Sequence, residues 1–488
     1  RGRWIDDWRP EEPEFWESTG RRVARRNLLW SIFAEHLGFS IWMIWSVSSA
    51  FLAQVGFGFS AQQLFVLVAI PSLVGALLRL PYTFAVPRFG GRNWTIISSL
   101  LLLLPTIGLA LAVGQHASFP VLLTVAALAG FGGGNFASSM TNISFFYRSS
   151  QKGKALGLNA AGGNLGTAAV QFTIPLLVTF GATAGTAGSI PNLPLAGWIF
   201  VPLVLVSAGL AWRFMDNLSV ISGTGDRGGF EMASRARHTW VLAVLYIGTF
   251  GSFIGFSFAF SQVLQISFKS SGVGNAALAA AQIAWIGPLL GSIARPFGGK
   301  LADRFGGGRI TFLCFLAMIA SASVLVISGM AADAHAHHKI GTAQLIGFIV
   351  GFILLFLISG IANGSVYKII PTVFEHKSRN LTGLDTMGRV IWSRKMSGAL
   401  IGIAGAVGAL GGVAINLVLR SSYKANQSAT VAFWVFLGFY VIAAIITWIF
   451  YARREIVLEE RETTDIAVDP PVADDAPSAT VPAAEPAK

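Results

Sequence analysis

Twelve apolar runs alternate with polar turns along the chain, at roughly 28–53, 62–86, 94–114, 119–143, 155–181, 195–215, 239–266, 276–300, 310–331, 342–367, 397–419 and 429–451. Each is near the ~20 residues that carry a helix across a bilayer. The pattern predicts an all-α membrane protein of twelve transmembrane helices. Residues 1–27 read as a polar, basic N-terminal segment. The stretch 216–238 is the only long polar interruption in the first half of the membrane region, and it divides the spans six and six. The predicted halves are therefore 28–215 and 239–452, joined by that linker. The loop between the tenth and eleventh runs is comparably long but does not split the chain evenly. Residues 453–488 form a tail that from Thr464 onward is rich in Ala, Pro, Asp and Thr with no apolar period, a composition that predicts disorder.

Charge placement sets the orientation. Lysine and arginine crowd the N-terminal segment (Arg21, Arg22, Arg25, Arg26), the 2–3 turn (Arg88, Arg92) and the 4–5 turn (Arg148, Lys152, Lys154). They also crowd the linker, the 8–9 turn, the 10–11 loop and the start of the tail. The opposite loops hold only Lys269, Lys339, Arg420 and Lys424. By the positive-inside rule both termini are cytoplasmic. The 488 residues are 53% hydrophobic and 12% charged, against about 25% charged in soluble chains. A net charge of +12 distributed by membrane topology excludes a nucleic-acid reading. The single cysteine, Cys314, excludes a disulfide framework and a cysteine metal site. The first residue is arginine, so the true start is expected to be missing or processed. The first apolar run begins too late and runs too long for a cleavable signal peptide.

Glycine is concentrated between Gly130 and Gly166, including Gly132, Gly133, Gly134, Gly162 and Gly163, with Asn135, Asn142, Asn159 and Asn164 among them. Each glycine costs about 1 kcal/mol against alanine in a soluble helix. In lipid the backbone must stay helical, and small residues let neighbouring helices approach closely. We read two glycine-faced helices, joined by a cytoplasmic turn, packed tightly and lining a pathway.

The two halves repeat. Arg79 is followed nine residues later by Arg88-Phe89-Gly90-Gly91, and Arg295 nine residues later by Arg304-Phe305-Gly306-Gly307. Gly134-Asn135-Phe136-Ala137-Ser138 is echoed by Ala362-Asn363-Gly364-Ser365. The glycines of the fifth run are answered by Gly402, Gly405, Gly408, Gly411 and Gly412. Two six-helix halves related in this way describe the major facilitator fold. Arg79 and Arg295 are the basic residues well inside spans, at matching positions; Lys368 falls at the cytoplasmic end of span ten. A buried arginine costs roughly 2.5–3.5 kcal/mol on insertion scales, so each needs a cavity or a partner. One reading bonds each to backbone groups; the other turns both toward the interface of the halves to bind an anion. The planar guanidinium fork suits a flat oxyanion, and Phe136, Tyr246 and Phe250 supply aromatic surface.

The segments Gly133–Met140, Asn142–Phe146 and Ala155–Asn159 resemble the nitrate signature of the nitrate/nitrite porters (NarK-type) of the major facilitator superfamily. So do Leu77-Leu78-Arg79 with Pro81-Tyr82, the run from Leu245 to Phe256, and Ala404 through Gly412. The resemblance runs through all twelve spans; the first ~26 residues and the tail fall outside it. It implies that Arg79 and Arg295 clamp nitrate or nitrite, that Phe136 and Phe250 sandwich its plane, that Tyr246 donates a hydrogen bond, and that Asn164 supports the arginines. It also implies that Gly133, Gly134, Gly162, Gly163, Gly166, Gly405, Gly408, Gly411 and Gly412 let helices bend, and that Asp303-Arg304 belongs to a cytoplasmic gate turn. The function implied is exchange of nitrate for nitrite by alternating access in a bacterial cytoplasmic (inner) membrane. The partners are then the two anions and membrane lipid, with no cofactor and a monomeric state.

Glu35 is the only acidic residue well inside a span, and it is followed by His36. It reads either as bonded to a neighbouring helix or as a proton site, which would make the protein a nitrate/proton symporter. His335, His337 and His338 lie in an outer loop without cysteines or clustered carboxylates nearby, a poor metal site, so no metal is expected. No nucleophile–base pair or phosphate loop marks an enzyme. Twin arginines disfavour a sugar or drug substrate. A non-transporting anion sensor on the same fold remains the rival from a different class.

Overall fold

The computed structural model describes residues 3–453, apart from 186–187, 222–226, 336–339, 380, 382 and 384–385. The expected disordered tail past 453, His337, His338, Lys339 and the middle of the linker lie outside the described residues. Among those described, twelve helices are long and apolar enough to cross a membrane: Pro13–Val55, Ala61–Phe89, Gly91–Gly114, Phe119–Phe146, Ser150–Phe180, Leu195–Phe214, Arg237–Ser270, Ala276–Phe305, Gly307–Asp333, Thr342–Arg379, Met396–Asn426 and Thr430–Ala452. They are spans one to twelve below.

Most expected boundaries agree to within a few residues, and the exceptions have a common cause. A regular α-helix already begins at Arg21, so Arg21, Arg22, Arg25 and Arg26 ride on span one instead of preceding it. Span ten continues to Arg379 and span eleven begins within a helix that starts at Thr386, so most of the 10–11 loop is helical. Arginine, lysine and glutamate are good helix formers, so helices outrun the apolar stretch that hydropathy detects.

The glycine faces of spans four and five pack tightly, but mainly not on each other. Span four lies on span two and span five on span one. A Cβ on Gly133 would come within 2.9 Å of the Gly75 Cα on span two, and one on Gly163 within 2.7 Å of Glu35 Cγ on span one. The turn at Tyr147–Arg148 holds the two helices side by side and leaves their smallest residues for other neighbours.

The repeat seen in sequence is also a repeat of backbone geometry. Gly90 has φ 84° and Gly306 φ 87°, each ending the helix that carries its half's arginine. That left-handed region favours glycine, which has no Cβ to clash. Span eight packs on span ten as span two packs on span four.

The halves meet along spans two and eleven, five and eight, and one and seven. Hydrogen bonds across the seam run from the middle toward the face opposite the termini. Ser72 donates to the Ala409 carbonyl (3.3 Å), Gln171 to the Ser257 carbonyl (2.6 Å) and Gln265 to the Ala50 carbonyl (2.9 Å). At the other face the N-terminal segment is folded onto the start of the linker. Trp4–Ile5 pairs in parallel with Asn217–Leu218, and Asp216 accepts from Arg26 (2.5 Å) and Asn27 (2.9 Å).

Candidate functional site

Arg79 and Arg295 come from spans two and eight and are both buried at the centre. Arg79 donates through Nε to the Gly133 carbonyl (3.2 Å) and through Nη1 to the Gly405 carbonyl (2.8 Å). Its Nη2 is buried without a partner. Arg295 donates through Nη2 to the Tyr246 hydroxyl (3.3 Å), and its Nη1 is likewise buried without a partner. The backbone-bonded reading is thus realised for part of Arg79, yet each guanidinium keeps one bare nitrogen. An unsatisfied N–H of a charged group is costly in a buried setting and calls for an acceptor.

Aromatic rings wall the pair. The Arg79 guanidinium carbon lies 4.6 Å from the ring centroids of both Phe136 and Phe250, and 5.6 Å from Trp42. Arg295 lies 5.8 Å from the same Phe136 ring and 5.1 Å from Tyr367. Phe136 therefore faces both cations, and the ring's negative face favours each. Phe136 and Phe250 are stacked at 5.7 Å, and Tyr246 stacks on Phe250 at 5.1 Å with planes 7° apart. A flat group between two rings needs about 7 Å, twice a van der Waals contact. In this conformation Phe136 and Phe250, 5.7 Å apart, leave no room between them for the flat anion that the resemblance places there.

The remaining candidates divide. Asn164 is buried, but neither atom of its amide has a hydrogen-bond partner, so the expected support of an arginine is not made here. Glu35 is buried and bonded to spans four and five: its Oε2 accepts from the Ser139 hydroxyl and from Asn159 Nδ2, while Oε1 has no partner. His36 turns away, with Nδ1 3.1 Å from the Gly162 carbonyl. Asp303 pairs with Lys368, tying the ends of spans eight and ten, and Arg304 lies over the Phe305 ring.

The expected hinge glycines are points of close approach. Gly134 abuts Tyr82, Gly162 Ile32, Gly166 the His36 carbonyl, Gly405 Arg79, Gly408 Tyr246, Gly411 Gly251 and Gly412 Ser72. The helices that carry them are continuous through these positions.

The family model of the Major Facilitator Superfamily matches residues 36–393. Over 464 residues the chain is 36% identical to the nitrate/nitrite transporter NarU of Escherichia coli (strain K12), covering 92% of this chain and 96% of that one. The chain belongs to the nitrate/nitrite porters of the major facilitator superfamily. It is also 32% identical over 469 residues to the probable nitrate/nitrite antiporter NarK2 of Thermus thermophilus, covering 93% and 98% of the two chains. Among solved structures it resembles a D-xylose–proton symporter, with TM-score 0.61 over 87% of this chain and 97% of that one. At 15% identity that likeness speaks for the fold alone.

Sequence reasoning about this porter missed Tyr367 and Trp42 as site walls, and Ser139 and Asn159 as the partners of Glu35. A signal for Tyr367 was present. It lies one helical turn beyond Asn363, which the repeat pairs with Asn135.

Proposed function

We propose that this porter carries nitrate and nitrite across the bacterial cytoplasmic membrane by alternating access, with both termini in the cytoplasm. The anion is held between Arg79 and Arg295, and one anion is exchanged for the other. The observation that carries this reading is the pair of bare guanidinium nitrogens, Arg79 Nη2 and Arg295 Nη1, in a buried centre walled by Phe136, Phe250 and Tyr246. Planar N–H forks beside apolar rings suit a flat, weakly hydrated monoanion, whereas a phosphate ester or dicarboxylate would need more cations.

Exchange follows from charge. Entry of a monoanion against an inside-negative potential costs about 2.3 kcal/mol per 100 mV, and swapping one monoanion for another removes that cost. Two cations in a low-dielectric centre repel, and a bound anion relieves the repulsion, so the loaded carrier reorients and the empty one does not. Arg79 is bonded to span four through Gly133 and to span eleven through Gly405, so any movement of one half against the other acts on the anion's own ligand.

A second reading, nitrate/proton symport, is favoured by one observation, the unpartnered Oε1 of buried Glu35. Ionised, Glu35 would offset part of the arginines' charge in the empty site and allow an empty return; protonated, it would carry the proton inward with the anion. Nitrate uptake into liposomes, with and without internal nitrite and across an imposed pH gradient, separates the readings. Stimulation by internal nitrite with no response to the gradient supports exchange. Acid-driven uptake without internal nitrite, lost in Glu35→Gln, establishes symport instead. Anion binding without flux under any condition leaves a sensor.

A further inference from the structure

The backbone of span ten delivers Tyr367 to the arginine centre. Gly364 lies so close to span eight that a Cβ there would run into the Arg295 carbonyl. Lys368, one turn on and on the same face, pairs with Asp303 of span eight. Ser365 faces span nine, where its hydroxyl lies 2.7 Å from that of Thr311. With those two faces taken, Tyr367 turns to span seven. Its ring stands edge-on to Tyr246 at 5.5 Å, and the Arg295 guanidinium lies over it at 5.1 Å.

The ring is accounted for by packing and by attraction between its face and the cation. The hydroxyl is not. Its oxygen is buried and makes no hydrogen bond. Both arginines act on that hydroxyl electrostatically, and the neighbouring Tyr246 oxygen already accepts from Arg295 Nη2 at 3.3 Å. A phenylalanine would fill the same space and keep the attraction to Arg295, without the desolvation cost of a stranded hydroxyl. A buried polar group retained at such a cost marks a functional position more often than a packing one. Around this one stand two cations and a phenol whose oxygen is engaged, so its proton has an acceptor only when the ligand brings one.

We propose that the Tyr367 hydroxyl is a direct ligand of the anion and favours nitrate over nitrite, an assignment that rests on the reading of Arg79 and Arg295 as the anion's clamp. Either anion offers two oxygens to the two bare guanidinium nitrogens. Nitrate brings a third oxygen, and a donor placed for it stays unpaired when nitrite binds. A site that hydrogen-bonds one group of its ligand rejects the analogue lacking that group for this reason. The clamp thus supplies the charge common to both anions, and span ten supplies the distinction between them.

The test is equilibrium titration of nitrate and of nitrite into the purified full-length protein, with thermal unfolding of the same samples. Tyr367→Phe is expected to weaken nitrate about tenfold, the lower end for a hydrogen bond to a charged group, and nitrite less. Its thermal midpoint should equal or exceed that of the wild type, because no bond within the protein is lost. Tyr246→Phe, which strips Arg295 Nη2 of its acceptor, should instead lower the midpoint. Unchanged nitrate affinity in Tyr367→Phe, or an equal loss for both anions, overturns the assignment. A fall in midpoint as large as that of Tyr246→Phe also overturns it, since the hydroxyl would then be bonded within the protein. Nitrate affinity unchanged in both Arg79→Lys and Arg295→Lys overturns the clamp and this assignment with it. Affinity lost in those variants but kept in Tyr367→Phe overturns the assignment alone.

Discussion

Arg79 of the first half donates to the backbone carbonyl of Gly405 in the second half at 2.8 Å. A buried cation is thereby held on the seam between the halves by a neutral acceptor. Gly405 is suited to this role by size, since a Cβ there would sit 3.3 Å from the Arg79 Nη1. The acceptor offsets part of the cost of burying the guanidinium, and an anion at the proposed site would offset more. On the proposed reading, competition between the two would link anion occupancy to the seam.

Arg79→Lys and Arg295→Lys are each expected to lower nitrate–nitrite counterflow at least about tenfold, or roughly 1.4 kcal/mol. Lysine keeps the charge and loses the planar fork that now reaches Gly133, Gly405 and Tyr246. Counterflow in liposomes, with matched insertion and thermal stability, is the measurement. Near wild-type rates in either variant would falsify the arginine clamp.

Phe136→Ala is expected to weaken nitrate more than chloride, and more than Phe250→Ala does. Phe136 faces both arginines, whereas Phe250 faces Arg79. Competition of each anion against labelled nitrite gives the two affinities. Equal losses for the flat and the spherical anion would reduce the rings to packing.

Glu35→Gln is expected to keep counterflow, because an amide oxygen still accepts from Ser139 and Asn159. Glu35→Ala removes the acceptor that Ser139 and Asn159 share, leaving them the Phe136 carbonyl (3.3 Å) and the Ser139 hydroxyl (2.9 Å), and should cost about 1 kcal/mol of stability. Thermal unfolding in detergent, read beside counterflow, tests the pair. Loss of counterflow in a Glu35→Gln protein of normal stability would mean that the carboxylate takes part in exchange itself.

Gly133→Ala is expected to destabilise by about 1–3 kcal/mol through overpacking, because the added Cβ meets the Trp42 ring at 2.5 Å and Gly75 Cα at 2.9 Å. Gly157→Ala meets nothing within 4 Å and should be neutral or stabilising by up to about 1 kcal/mol. Thermal midpoints of the two variants distinguish a contact glycine from a permissive one. Equal midpoints would remove the close-approach account of span four.

The twelve spans were legible in sequence because a bilayer makes each helix satisfy its own backbone, so an apolar run reports locally on its fate. Arg79 and Arg295 were legible for a similar reason, since a charge at that depth must face the interior whatever its neighbours are. The short motif around Gly90 and Gly306 was legible as a repeat because a left-handed turn restricts the residue that can make it. Only the tertiary structure decided that Arg79 takes the carbonyl of Gly405, that Tyr367 stands over Arg295, and that Glu35 is held by Ser139 and Asn159. It also decided that the glycines of span four meet both span two and span one, and those of span five span one. A helix's sequence shows which residues share a face and how small that face is. Which distant helix it meets, and at what rotation, depends on packing all twelve at once.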